Sequence, residues 1–222
     1  PYRSYSPEAM IAKFLSRKLE KFMKDYNPSF VIGTHSYAAW LMTVLKKHGV
    51  LSCPMFGVVT DYTIHPFWES TLLDYYVIPD GILTASAVKK GIMPNKLLPY
   101  GIPIRECFSR KREKSEAKAA LGLSDKPVVL IMMGSMGFGN MTDVLKSVDG
   151  YDGDYQTVVI CGNNEKAERS ILESYWKKPV RCLGFTNNVD EYMDAAEIII
   201  TKPGGLTTSE AMAKKLPLIL TN

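Results

Sequence analysis

No stretch of this 222-residue chain approaches the ~20 consecutive apolar residues that a spanning helix needs, so a transmembrane reading is excluded. The four cysteines, Cys53, Cys107, Cys161 and Cys182, are widely spread. They form no C-x-x-C pair and have no histidine at metal-ligand spacing, so thiols of no special role in a reducing compartment are expected rather than zinc or disulfides. The chain also lacks the G-x-G-x-x-G string of a dinucleotide fold and the Gly-Lys-Ser/Thr of a P-loop. It has no internal repeat, no low-complexity segment and no nucleic-acid motif.

What remains is ordinary for a globular protein: 46% hydrophobic and 23% charged residues. The net charge of +4 is mild but uneven. Residues 1–60 hold eight Lys/Arg against Glu8, Glu20 and Asp25, an excess larger than that of the whole chain. A basic first half suits an anionic lipid surface. The chain opens on Pro1 and closes on Leu218-Ile219-Leu220-Thr221-Asn222, an apolar run that reads as a core strand. A parallel strand needs neighbours and a crossover, so a fragment is expected.

Helical and strand signals alternate. Glu8–Tyr26 carries Ile11, Phe14, Leu15, Leu19, Phe22 and Met23 at helical spacing with lysines opposite. Strands are expected at Phe30–Gly33, Met55–Thr60, Tyr75–Ile78 and Leu97–Tyr100, with helices at Ala38–His48 and Ala85–Lys90. Gly101-Ile102-Pro103 punctuates, and the charged stretch Arg105–Lys118 reads as a solvated linker. A second series follows, with strands at Val128–Met133, Thr157–Cys161, Val180–Leu183, Ile198–Thr201 and Leu218–Leu220. Helical segments are expected at Glu165–Tyr175, Tyr192–Ala196 and Ser209–Lys214. Short apolar strands alternating with helices imply parallel sheets covered on both faces, here as two Rossmann-like domains, 1–104 and 105–222, both incomplete.

Two glycine sites carry chemistry. The strand Val128–Met133 runs into Gly134-Ser135-Met136-Gly137-Phe138-Gly139. Beyond the carboxyl end of such a strand, glycines let the backbone approach a diphosphate; a βα loop with no ligand accounts for the spacing as well. Ile198–Thr201 ends in Lys202-Pro203-Gly204-Gly205-Leu206-Thr207-Thr208-Ser209-Glu210. Thr207 and Glu210 fit a T-x-x-E capping box, which explains those two residues but not the paired glycines before them.

The string Thr201 to Ala211 resembles the donor motif of the diacylglycerol glycosyltransferases, among them the plant monogalactosyldiacylglycerol synthases and the bacterial processive diacylglycerol glucosyltransferases. Gly101-Ile102-Pro103-Ile104-Arg105, Gly134-Ser135-Met136-Gly137, Cys161-Gly162-Asn163-Asn164 and Val58-Val59-Thr60-Asp61 match in the same order. The resemblance implies a GT-B fold, two Rossmann-like domains facing across a cleft. It implies an inverting enzyme that moves glucose or galactose from a UDP-sugar to diacylglycerol, peripheral on the cytoplasmic membrane face, with no nucleic acid as partner. Gly134, Ser135, Met136, Gly137, Gly162, Asn163, Gly204, Gly205, Leu206 and Thr207 would lie along the UDP. Glu210 would accept the ribose hydroxyls, Phe185 and Thr186 would hold uracil, and Arg105 would add charge near the phosphates. No metal or cofactor is implied, because helix termini and Arg105 would neutralise the leaving UDP.

Asp61 and His65, in Asp61-Tyr62-Thr63-Ile64-His65-Pro66-Phe67-Trp68, are candidates for taking the acceptor proton or binding the acceptor. Asp61 fits an Asx turn equally well, and His65 before Pro66 fits a loop-ordering role. Tyr62, Phe67 and Trp68 would line an acyl path or pack in the core. The resemblance also implies a Gly-rich segment with a histidine before Pro1 and a Pro-Gly-Gln-Glu-type segment after Leu220. The alternatives are a lipid II-type transferase using UDP-GlcNAc, a UDP-GlcNAc 2-epimerase, and a UDP-binding fragment without activity.

Overall fold

The computed structural model describes residues 18–134 and 140–221. Residues 8–17 of the expected first helix lie outside that range, as do Ser135, Met136 and Gly137. The chain divides into two compact units, 1–103 and 104–222, each with its own parallel sheet.

In the first unit β1 (Val31–Gly33), β2 (Met55–Val58), β3 (Tyr75–Val77) and β4 (Leu97–Leu98) lie side by side in chain order, all parallel. Helix α1 (Ser36–Lys47) buries Ala39, Met42 and Leu45 at helical spacing against a core that includes Met55, Leu73 and Ile78. Helix α2 (Thr84–Lys89) buries Ala87 in the same core. Gly57 has no room for a side chain, since a Cβ there would come within 2.6 Å of Leu73 and 2.7 Å of Trp68. Residues 18–26 are helical: Leu19 and Met23 pack on the core, while Lys21, Phe22, Lys24 and Tyr26 face solvent. Phe22 and Tyr26 stack on that exposed face, ring centroids 5.7 Å apart.

The second unit holds β5 (Val128–Met132), β6 (Gln156–Ile160), β7 (Val180–Leu183), β8 (Ile198–Thr201) and β9 (Leu218–Leu220), in the order β7-β6-β5-β8-β9. All pairs are parallel. Between β5 and β6 runs α4 (Met141–Asp149), between β6 and β7 α5 (Glu165–Leu172), between β7 and β8 α6 (Val189–Ala195), and between β8 and β9 α7 (Gly205–Ala213). Ahead of β5 lies α3 (Lys114–Ala120). Side chains of α4 and α5, led by Met141, Leu145 and Ile171, cover one face; Tyr192 and Met193 of α6 and Ala211 of α7 cover the other. From β5 the chain steps outward through β6 and β7, then returns to the opposite side of β5 to lay down β8 and β9. The topological switch point of the sheet therefore lies between β5 and β8.

One expectation is corrected here. The stretch 105–118 is not a solvated linker: it forms a 3₁₀ turn at Glu106–Phe108 and the start of α3. Phe108 is fully buried, and Lys118 is buried against Glu197, Nζ to carboxylate 3.1 Å. Charge counting misses both, because an amphipathic lysine with one good partner and a single aromatic anchor suffice to fold a polar segment. Leu218–Leu220 forms the expected strand and pairs with β8. Helix α4 was not anticipated, although Met141, Val144, Leu145 and Val148 carry the helical period.

Cys161 and Cys182, on neighbouring strands or just beyond, bring their sulfurs to 3.7 Å, and all four cysteines are free thiols. Among the described residues no helix is long and apolar enough to cross a membrane.

Candidate functional site

In a parallel sheet every strand delivers its following loop to the same edge, so the carboxyl ends of β5 to β8 line up the segments singled out in the sequence. Gly134 leaves β5 with φ +78, a left-handed conformation that favours glycine. Gly162 follows β6 with φ +58 and is buried, whereas Asn163 is exposed. The next residue, Asn164, is occupied structurally: its Oδ1 accepts the Ala167 N–H at 3.0 Å and caps α5.

Phe185 stands at the end of β7 with its ring 63% exposed, an apolar face open to a flat partner. Thr186 is partly buried and donates its hydroxyl to Asn188 Oδ1, which fixes the turn behind it. The only D-x-D string, Asp152-Gly153-Asp154, precedes β6 and so lies at the opposite, amino edge of the sheet, where Asp154 pairs with Lys126 at 2.6 Å.

The switch point carries the densest arrangement. After β8 the carbonyl of Lys202 accepts the Gly204 N–H at 2.8 Å, a tight turn that aims the chain into α7. Gly204 is the N-cap, extended, with no side-chain cap bond. This corrects the capping box: α7 begins three residues before Thr207 would have started it, so Thr207 lies inside the first turn and Glu210 well along the helix. The paired glycines cause the early start, since they allow the backbone to turn tightly and α7 to open on buried Gly205. Thr208 returns its hydroxyl to the Gly204 carbonyl at 2.6 Å, tightening the turn. Among the described residues no side chain caps this end of α7, and the N–H groups of Gly205, Leu206 and Thr207 lie at the positive end of the helix dipole.

Two loops from adjacent strands meet here. A Cβ placed on Gly134 would lie 3.2 Å from Lys202 Cε and 3.6 Å from its Nζ. Sequence periodicity places Lys202 in the motif but carries no signal that its side chain crosses to the neighbouring strand's loop. Glu210 is half-buried one turn further along. Burial pushes its carboxyl above the ordinary value, Asp190 adds to the rise, and the Arg105 guanidinium opposes it. Arg105 thus lies within electrostatic reach of Glu210; its guanidinium also stacks on Phe108, 5.1 Å from the ring centre. Asp190 was not anticipated, because nothing in its spacing links it to Glu210.

In the first unit Asp61, Tyr62, His65 and Phe67 are exposed after β2. Asp61 Oδ1 accepts the N–H of the next residue, Tyr62, at 2.8 Å, a local bond one residue short of an Asx turn. His65 is the N-cap of the 3₁₀ turn Pro66–Ser70, its Nδ1 accepting the Phe67 N–H at 3.2 Å. A neutral ring held this way carries its proton on Nε2, which makes that nitrogen a donor rather than a base. Trp68 is corrected: at 4% exposure, packed edge-on to Tyr76, it belongs to the core and cannot line an acceptor path. Its neighbour Phe67 instead joins Tyr37 (6.2 Å) and His65 (5.1 Å) in an aromatic group extended by Trp40 on Tyr37 (5.7 Å).

Residues 2–104 match the monogalactosyldiacylglycerol (MGDG) synthase family model, and residues 128–221 match the glycosyltransferase family 28 C-terminal domain. Over 96% of its length the chain is 33% identical to the chloroplastic monogalactosyldiacylglycerol synthase of Spinacia oleracea, of which it covers 43%. Over 94% it is 30% identical to the processive diacylglycerol beta-glucosyltransferase of Bacillus licheniformis, covering 55%. The chain thus spans about half the length of these relatives. Among solved structures it superposes on Acinetobacter baumannii MurG (TM-score 0.61, 14% identity, 93% of this chain and 56% of that one). It also superposes on Anabaena HepE in complex with UDP-glucose (TM-score 0.64, 12% identity, 93% and 62%). At such identities the likeness speaks for the fold, GT-B. Its two halves match in turn the synthase model and the transferase C-terminal model, so that over nearly all its length the chain is similar to the diacylglycerol glycosyltransferases.

Proposed function

We propose that this chain is part of a UDP-sugar-dependent hexosyltransferase that makes glycolipid from diacylglycerol, with inversion at the sugar carbon. The observation that carries the reading is the switch point between β5 and β8. There the left-handed Gly134 turn, the Lys202–Gly204 turn and the uncapped first turn of α7 converge beside a half-buried Glu210. Doubly wound sheets take nucleotides at that place, with phosphates at helix N-termini.

In this reading the backbone N–H groups of Gly205 to Thr207, with Gly134 to Gly137, hold the diphosphate, and Gly204, its own N–H tied to Lys202, lets the chain approach it closely. Glu210 accepts the ribose hydroxyls; a carboxylate whose burial disfavours its charge gains from two new donors. Gly162 and Asn163 border the nucleotide, Phe185 stacks on uracil and Thr186 sits beside it. Arg105 adds positive charge, so that helix dipole and guanidinium neutralise the departing UDP without a metal.

On the acceptor side Asp61 is the better base of the two candidates, since His65 offers an N–H at Nε2; His65 orients the acceptor hydroxyl instead. Tyr62 and Phe67 meet the lipid. The basic, aromatic face of residues 18–26 suits an anionic membrane surface, where the protein would work peripherally on the cytoplasmic side. The names of the relatives from Spinacia and Bacillus, and the UDP-glucose held by the HepE structure, agree with the substrate classes.

Isothermal titration of the 222-residue chain with UDP tests the donor half. Binding that weakens at least tenfold in Glu210→Ala is expected. A folded wild type that gives no heat with UDP, alone and in the full-length protein, overturns the reading. Transfer of labelled hexose from UDP-glucose or UDP-galactose to diacylglycerol in anionic vesicles by the full-length protein tests the reaction itself.

A further inference from the structure

We propose that Lys202 is the side chain that makes the nucleotide site prefer a diphosphate, reaching across from the β8 loop to clamp it against the Gly134 turn; this rests on the donor-site reading above. Lys202 precedes Pro203, which biases its backbone toward the extended region. Its carbonyl is tied to the Gly204 N–H at 2.8 Å, so the backbone it grows from is fixed. From there the side chain runs sideways, toward β5, rather than out into solvent. It ends 3.6 Å (Nζ) from where a Gly134 Cβ would sit, and its Cε lies 3.9 Å from the corresponding point on Gly204. The ammonium therefore lies beside the Gly134 backbone, with the stem that carries it passing Gly204.

Electrostatics make this position informative. Other buried lysines of the same unit have acidic partners: Lys118 pairs with Glu197 at 3.1 Å and Lys214 with Asp194 at 2.7 Å. Half-buried Lys202 makes no ion pair or side-chain hydrogen bond with any described residue. It also sits at the positive end of α7, where a cation is disfavoured. Two positive features brought together without an anion raise the energy of the empty site. A ligand carrying two or three negative charges at that point relieves both at once. A diphosphate has that charge and is long enough to touch the α7 terminus with one phosphoryl group and the Gly134 turn with the other. A nucleoside gives Lys202 nothing to bind. Lysine suits the task as a compact point charge with rotatable donors rather than a planar fork.

The test is titration of the 222-residue chain and of Lys202→Met with UDP and with uridine, with thermal melting to confirm the fold. Lys202→Met keeps length and apolar stem while removing charge. UDP affinity is expected to fall at least tenfold while uridine affinity stays within twofold, and the salt dependence of UDP binding is expected to flatten. Lys202→Arg should recover part of the loss. Equal losses for UDP and uridine would mean that Lys202 only shapes the loop, and an unchanged UDP affinity would overturn the clamp directly. A wild type that binds neither ligand strikes at the donor-site reading instead, so the two failures are distinguishable.

Discussion

Glu210 shows how one side chain can cost stability where it serves binding. Its carboxyl is raised above its ordinary value of 4.5, chiefly by burial, with Asp190 adding and Arg105 opposing. A group whose folded pKa is raised favours the fold while protonated and loses that contribution as pH rises through the folded value. Glu210→Gln, which mimics the protonated form, should therefore raise the melting temperature at pH 7. The gain should shrink as pH is lowered and vanish below about 4.5. Thermal melts across that range, set beside UDP titrations, check both halves: the variant should be more stable and bind UDP more weakly. A variant less stable than wild type at pH 7 would mean that the carboxylate is held by the fold rather than by the ligand. The ribose role was implied by the family resemblance, but the raised carboxyl was not legible in the sequence. The T-x-x-E spacing pointed to a cap, and the start of α7 at Gly205 shows that Glu210 is not part of one.

Among the elements, the 3₁₀ turn Glu106–Phe108 is where sequence and structure diverge most. Strands such as Val180–Leu183 and Ile198–Thr201 were legible to the residue, because short runs rich in β-branched and apolar residues punctuated by proline and glycine admit few readings. The turn sits instead in a run of mixed charge, and its only apolar signal is Phe108 beside Cys107. Phe108 nonetheless fills the core beneath Val128, Leu130 and Ile199, while its outer face carries the Arg105 guanidinium. Phe108→Ala should cost about 3–5 kcal/mol of stability, read by urea denaturation of the whole chain, whereas a true linker position would change by less than about 0.5 kcal/mol. Because Arg105 rests on that ring, the same variant should also weaken UDP binding. The glycine loops lie between these extremes: their composition announced a close backbone approach, but which two loops meet depends on strand order, and no local pattern encodes that.

Over the whole molecule, alternation of strand and helix was enough to anticipate two parallel α/β units, since a sheet buried on both faces writes itself as short apolar runs. Strand order was not anticipated, yet it governs how each unit can form. In the first unit consecutive strands are neighbours, whereas in the second the central strand β5 pairs with β6 and also with β8, whose first residue comes 70 positions after that of β5. Distant pairings slow folding because loop closure must precede the contacts that reward it. Pulse-labelling hydrogen exchange during refolding should find the amides of β2 and β3 protected before those of β5 and β8; the reverse order would contradict this. The same arrangement bears on synthesis at the ribosome. Once Leu98 has emerged, every described strand of the first unit has its partners. The second unit's Val128–Met132 must wait through the translation of three further strands with one apolar edge open. During that interval the nascent chain is exposed to wrong pairing, and it is there that a chaperone would have most to shield.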